Sequence, residues 1–90
     1  MKLREISGVQ KPVVGYAVRL GWLAWKMKIE GINGCPDYWF FKNGRVLIVE
    51  FKRPGKGPDP QQQRRHRELQ KAGHTVHVID NVEAGYALFD

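Results

Sequence analysis

Cysteine and long apolar segments are scarce in this sequence. The single cysteine, Cys35, excludes an intrachain disulfide framework and a cysteine-rich zinc site. No apolar run approaches the ~20 residues that span a bilayer, so no transmembrane helix is expected. Repeats and low-complexity segments are absent as well. The 90 residues therefore predict one globular domain over residues 1–90, and a cytoplasmic location is expected because no signal peptide is recognised.

Acidic residues are also in the minority. Fifteen Lys and Arg against nine Asp and Glu give a net charge of +6. The excess is concentrated between Lys52 and Lys71, where seven basic residues accompany two acidic ones. Such a stretch is typical of proteins that bind a polyanion, most often nucleic acid. A solvated basic helix face with no partner has the same composition.

Hydrophobic periodicity predicts an α/β fold with a mixed central sheet flanked by helices. The predicted elements are a helix up to Gly21, strands 23–29, 37–42 and 45–52, a helix 60–72, a strand 75–80 and a helix 82–89. Pro12 falls inside the first helix and predicts a kinked helix or two short ones. The last strand is expected to pair in parallel with a strand of the preceding meander, through a helical crossover.

The Asn43-Gly44 pair between two apolar strands is a strong hairpin signal, because a type I′ turn needs positive φ at both central positions. In such a hairpin, directly opposed residues have numbers that sum to 87. Asp37 then lies opposite Glu50, and Lys52 shares their face of the sheet. A bulge in the hairpin would instead turn Asp37 to the other face.

Two opposed carboxylates destabilise a sheet unless something compensates for their charge. A divalent cation between Asp37 and Glu50 would do so, and hard oxygen ligands favour Mg²⁺ or Mn²⁺. The alternative is that both acids lie at a solvated sheet edge and pair with surface Lys or Arg side chains.

These residues also fit a known signature. Asp37 after Pro36, followed by Glu50-Phe51-Lys52, resembles the PD-(D/E)XK nuclease motif, and the surrounding segments resemble the VRR-NUC (virus-type replication-repair nuclease) domain in its stand-alone phage or prophage form. Those segments are Gly34-Cys35-Pro36-Asp37, Val49-Glu50-Phe51-Lys52, Pro60-Gln61-Gln62 with His66 and Leu69, Ala72-Gly73-His74 and Val76-His77-Val78. The resemblance implies a restriction-endonuclease-like α-βββ-α-β core.

The resemblance also implies roles for individual residues. Asp37, Glu50 and the backbone carbonyl of Phe51 would hold Mg²⁺ or Mn²⁺, and Lys52 would orient or deprotonate the attacking water. Glu5 matches the glutamate of the family's first helix and would complete the metal ligands. A surface helix acid beside Arg4 is the alternative for Glu5.

Gln62 corresponds to the glutamine of the family's second helix and is a candidate catalytic residue. It also stands three residues after Asp59, where a glutamine can reach back to a helix cap. His66, His74 and His77 form no metal-ligand pattern and are expected to pack or to contact phosphate. The candidate phosphate contacts are Lys26, Lys28, Arg53, Lys56, Arg64, Arg65 and Arg67.

The function implied is a metal-dependent endonuclease that hydrolyses DNA, acts on branched substrates such as four-way junctions, and works as a homodimer. A nuclease that nicks or restricts ordinary duplex is one alternative. A basic DNA-binding module without catalysis is the alternative from another class. The aromatic set Trp22, Trp25, Trp39 and Phe40 is expected in the core or in a dimer interface.

Overall fold

In the computed structural model of the chain, residues 2–90 are described, with side chains from residue 8 onward. The elements are α1 (Lys2–Arg19), β1 (Leu23–Lys26), β2 (Tyr38–Lys42), β3 (Arg45–Phe51), α2 (Pro60–Lys71), β4 (Val76–Ile79) and α3 (Val82–Phe89). This order confirms the predicted α/β class. Within the described residues, no helix is both long and apolar enough to cross a membrane.

The four strands form one mixed sheet in the order β1-β2-β3-β4. The first three strands are an antiparallel meander, and β4 pairs with β3 in parallel, as predicted. Asn43 and Gly44 have φ values of 49° and 78°, which match the predicted tight turn. The pairing of β2 with β3 keeps the sum of 87 from the Lys42–Arg45 pair to the Tyr38–Val49 pair, so the hairpin contains no bulge.

Helices cover both faces of the sheet, but unequally. On one face, α1 and α3 pack against each other and against the strands, and the core there contains Val13, Ala17, Phe40, Val49 and Phe89. On the other face, α2 packs beside β4. Among the described residues, no helix lies on the meander half of that second face, and this leaves room for a site at the edge of α2.

Of the two alternatives predicted for Pro12, the pair of short helices is wrong, because α1 is one helix from Lys2 to Arg19. Val9, Val13 and Ala17 are buried along one side of it, and this packing keeps the helix continuous despite the lost backbone hydrogen bond.

The first strand is also shorter than predicted, because it ends at Lys26 and not at residue 29. Its partner β2 begins only at Tyr38, so the residues after Lys26 have no strand to pair with. A last backbone hydrogen bond, 2.7 Å from the Met27 amide to the Asp37 carbonyl, joins the strand end to the residue before β2. The segment that follows is a turn-rich loop, in which Ile29 is 37% exposed.

Candidate active site

Asp37 and Glu50 lie next to each other where β2 and β3 separate. Asp37 directly precedes β2, and its Oδ2 accepts a hydrogen bond from the Phe51 amide at 3.0 Å. The Asp37 carboxylate thus accepts a hydrogen bond that a backbone carbonyl would accept if the β2–β3 pairing continued. The β2–β3 register, extended by one pair beyond Tyr38–Val49, places Glu50 opposite Asp37. The charge of Asp37 accordingly acts on the Glu50 carboxyl.

The Glu50 side chain is almost completely enclosed. The residue is 1% exposed, and burial raises the pKa of its carboxyl to about 9. A hydrogen bond and the charge of Asp37 act in the same direction, whereas the nearby Lys52 ammonium opposes them. The alternative of two solvated acids at a sheet edge is therefore wrong for Glu50. A carboxyl in this position binds either a proton or another cation.

Gln62 connects Glu50 to the start of α2. Its Nε2 donates to Glu50 Oε2 at 3.0 Å, and its Oε1 accepts from the Asp59 amide at 3.0 Å. Asp59 Oδ1 in turn accepts from the Gln62 amide at 2.9 Å and completes a capping box. The sequence left two roles open for Gln62, a helix-capping residue or a residue of the active site. The side chain has both contacts, because its Oε1 binds the cap amide and its Nε2 binds Glu50.

A glycine contact brings the two halves of the site together. Gly34 has a φ of +82°, and a Cβ there would lie 2.9 Å from the backbone carbon and oxygen of Gln61. The turn that leads into Asp37 therefore packs directly on the first turn of α2. A larger residue at position 34 would push Asp37 and Gln62 apart.

His66 is a neighbour of Glu50 that sequence reasoning missed. It is 7% exposed, and its Nε2 lies 3.5 Å from Glu50 Oε1. Burial and the Lys52 charge lower the pKa of this imidazole, so it is neutral at pH 7. A phosphate contact is excluded by this burial. The available signal was its spacing, because a residue four positions after Gln62 lies on the same helix face.

The candidate phosphate contacts lie at three places in the fold. Lys26 and Lys28 flank Met27, whose amide donates to the Asp37 carbonyl, and both lysines are exposed. Lys56 is exposed in the loop between β3 and α2. Arg64 and Arg67 are exposed on α2, away from the face that carries Gln62.

Arg65 has a structural function that the sequence did not indicate. Its Nε donates to the Asn33 carbonyl at 2.9 Å, and its Nη1 pairs with Glu68 at 2.8 Å. These contacts connect α2 to the loop before Asp37. A loss of DNA affinity after replacement of Arg65 would therefore include a structural effect.

The oxygen atoms of the site fit a small, hard cation. Among the described residues, no cluster of three or more His, Cys, Asp or Glu side chains could hold a metal ion. Asp37 and Glu50 provide two carboxylates, and Glu50 Oε1 is buried without a hydrogen-bond partner in the described structure. Mg²⁺ commonly binds through one or two carboxylates and keeps several waters. Glu5 lies outside the residues whose side chains are described.

Two comparisons with known proteins agree with each other, whereas no family model matches the chain. "Putative nuclease p44" of Acyrthosiphon pisum secondary endosymbiont phage 1 is 35% identical over 82 residues, which are 90% of this chain and 88% of the phage protein. A solved structure described as "VRR_NUC domain" superimposes with a TM-score of 0.86 at 31% identity, covering 93% of this chain and 92% of the other.

Proposed function

The chain belongs to the VRR_NUC family of nucleases, and we propose that it is a Mg²⁺- or Mn²⁺-dependent endonuclease that hydrolyses DNA. The observation that carries this proposal is the opposition of Asp37 to a buried Glu50 at the end of the β2–β3 hairpin, with Lys52 nearby. Two opposed acids weaken a sheet. Their placement side by side, with Glu50 buried, is explained by chemistry that needs them.

The metal ligands in this proposal are Asp37, Glu50 and the Phe51 carbonyl, with Glu5 as a further candidate. The cation would polarise the scissile phosphate and lower the pKa of the attacking water. Asp37 is held in place by its hydrogen bond to the Phe51 amide, and Glu50 by Gln62. Both carboxylates are thus oriented before the substrate arrives, which reduces the cost of reorganisation during the reaction.

Lys52 is the proposed group at the reacting water. It follows the buried end of β3, and its charge lowers the pKa of both Glu50 and His66. From there it can orient or deprotonate the water and offset the charge that develops on the phosphate. Gln62 acts through Glu50, since its described contacts are with that carboxyl and with the cap.

Substitution of the acids tests the nuclease proposal. Asp37→Asn and Glu50→Gln keep the size of each side chain and remove its charge, and Glu30→Gln in the exposed loop is the matched control. Cleavage of duplex, flap and four-way DNA is measured with Mg²⁺, with Mn²⁺ and with EDTA. We expect the wild type and Glu30→Gln to cut only with metal, and the two site variants to bind DNA without cutting it.

Three outcomes would contradict this assignment. Cutting in EDTA, or metal-dependent cutting by Asp37→Asn at more than a few per cent of the wild-type rate, would exclude the carboxylate metal site. DNA binding by the wild type without any cleavage would favour the basic binding module. Equal rates on duplex and four-way DNA would favour a nicking or restriction-like enzyme over a junction-selective one.

We also propose that the active species is a symmetric dimer that cuts branched DNA. A chain with one site cannot cut two strands at once, and a second copy related by a two-fold axis provides the second site. The uncovered half of the sheet supplies a surface, because Leu23, Trp25 and Val46 are 51%, 54% and 42% exposed on one face of the meander. Exposed apolar side chains side by side in this way are typical of an interface.

Light scattering over a concentration series tests the dimer. Trp25→Lys should convert a dimer into a monomer of about the 10.4 kDa of one chain. Val18→Lys, which alters an equally exposed residue on α1, should leave the dimer intact. A wild-type monomer that cuts both strands of a four-way junction would contradict this proposal.

A further inference from the structure

His66 and Glu50 face each other with polar atoms that have no other partner. In the described structure, His66 Nε2 and Glu50 Oε1 are both buried and neither makes a hydrogen bond. They are 3.5 Å apart, only slightly too far for one. On the other carboxyl oxygen, Gln62 Nε2 already donates at 3.0 Å. Two side chains of α2, one helical turn apart, thus approach the two oxygens of a single carboxyl.

We propose that His66 is a positioning residue that holds Glu50 Oε1 when a divalent cation is bound. With Gln62 on Oε2, it would fix the plane of the Glu50 carboxylate from the side of α2. Each carboxylate oxygen has a second lone pair, which would remain available to a cation. This inference rests on the proposed metal-dependent nuclease function, and it assigns to His66 the orientation of one metal ligand.

A packing role alone does not explain this histidine. Burial of an imidazole without a hydrogen bond costs free energy, and an apolar side chain would fill the same space without that cost. Direct metal ligation is also a poor explanation, because Mg²⁺ and Mn²⁺ prefer oxygen to imidazole nitrogen. A residue that orients a metal-binding side chain without touching the metal would be buried and would direct its Nε2 at that side chain, as His66 does.

Three variants test this role. His66→Leu removes the donor and puts an apolar side chain in its place. His66→Gln provides an amide donor that can reach the carboxyl. His77→Leu is the matched control, since His77 is partly buried on β4 and, like His66, has its pKa lowered by burial. The measurement is the Mn²⁺ dissociation constant by calorimetry without DNA, together with the Mg²⁺ concentration that gives half-maximal cleavage.

We expect His66→Leu to weaken Mn²⁺ binding by roughly 10–100-fold. This range is typical when a residue that hydrogen-bonds to a metal-binding side chain is removed. The required Mg²⁺ concentration should rise similarly, while DNA affinity in EDTA stays within about twofold of the wild type. His66→Gln should recover a large part of the metal affinity, and His77→Leu should not change it. Rescue by the amide is the result that a purely structural role would not give.

The outcomes separate this inference from the proposed function. Wild-type Mn²⁺ affinity in His66→Leu would overturn the positioning role and leave the nuclease assignment intact. Equal weakening by His66→Leu and His66→Gln would also overturn it, and this comparison remains informative if the leucine variant is less stable. Failure of the wild type to bind Mn²⁺ at all would overturn both.

Discussion

Replacement of Glu50 has a measurable effect on stability that is independent of any substrate. In the folded chain the pKa of this carboxyl is raised to about 9, from an ordinary value of 4.5. Burial is the main cause, and Asp37 adds to it. Between these two values the folded state keeps a proton that the unfolded state releases. The metal-free protein should therefore lose stability as the pH rises through this window, and Glu50→Gln should abolish that dependence.

The expected slope follows from one proton. Because the folded state binds more protons than the unfolded state, the free energy of unfolding falls by about 1.4 kcal/mol per pH unit. For a domain of this size, this corresponds to a fall of roughly 8 °C in the unfolding midpoint between pH 7 and 8. His66 and His77 have lowered pKa values, so they act with the opposite sign at lower pH, and the raised pKa of Cys35 acts only at higher pH.

The assay is thermal unfolding in EDTA at several pH values between 7 and 8. Wild type and Glu30→Gln should show the slope, and Glu50→Gln should be nearly flat by comparison. Mg²⁺ added at pH 8 should restore the midpoint of the wild type through binding to the folded state, and should not affect Glu50→Gln. Equal slopes in the wild type and Glu50→Gln would refute the argument, because the titrating group would then lie elsewhere.

Three further outcomes follow from the geometry. Lys28→Ala with Lys56→Ala should lower the slope of log K against log salt for DNA binding by about two units, and an unchanged slope would mean that neither lysine contacts phosphate. Gly34→Ala should reduce the cleavage rate at temperatures where circular dichroism still shows a folded protein, since its Cβ would separate Asp37 from α2; full activity would contradict this. Gly85→Ala should cost about 1–3 kcal/mol in urea denaturation, because a Cβ there collides with Val13, and a neutral result would show that α1 and α3 can separate freely.

The parts of the site that local rules determine could be predicted from the sequence. The Asn43-Gly44 turn sets the register of the hairpin, and the register alone brings Asp37 opposite Glu50. The start of α2 was predicted in the same way, from a capping aspartate followed by proline. In both cases the residues that determine the geometry are close together in the chain.

The parts that depend on tertiary packing could not be predicted. The contact of His66 with Glu50 requires the position of α2 on the sheet, and no short-range pattern specifies that position. The early end of β1 depends on where β2 begins, and the exposure of Trp25 depends on which half of the sheet lacks a helix. Hydrophobic periodicity identifies an apolar face, but it does not tell which partner covers that face.

The chain order of the sheet has a consequence for folding kinetics. A hairpin closes within microseconds, whereas the parallel pairing of β4 with β3 must wait until the whole crossover has been ordered. We therefore expect Asp37 and Glu50 to meet while both are still hydrated, before α2 brings Gln62 and His66 onto them. The dehydration of the acid pair would then be a late event that coincides with the docking of the helix.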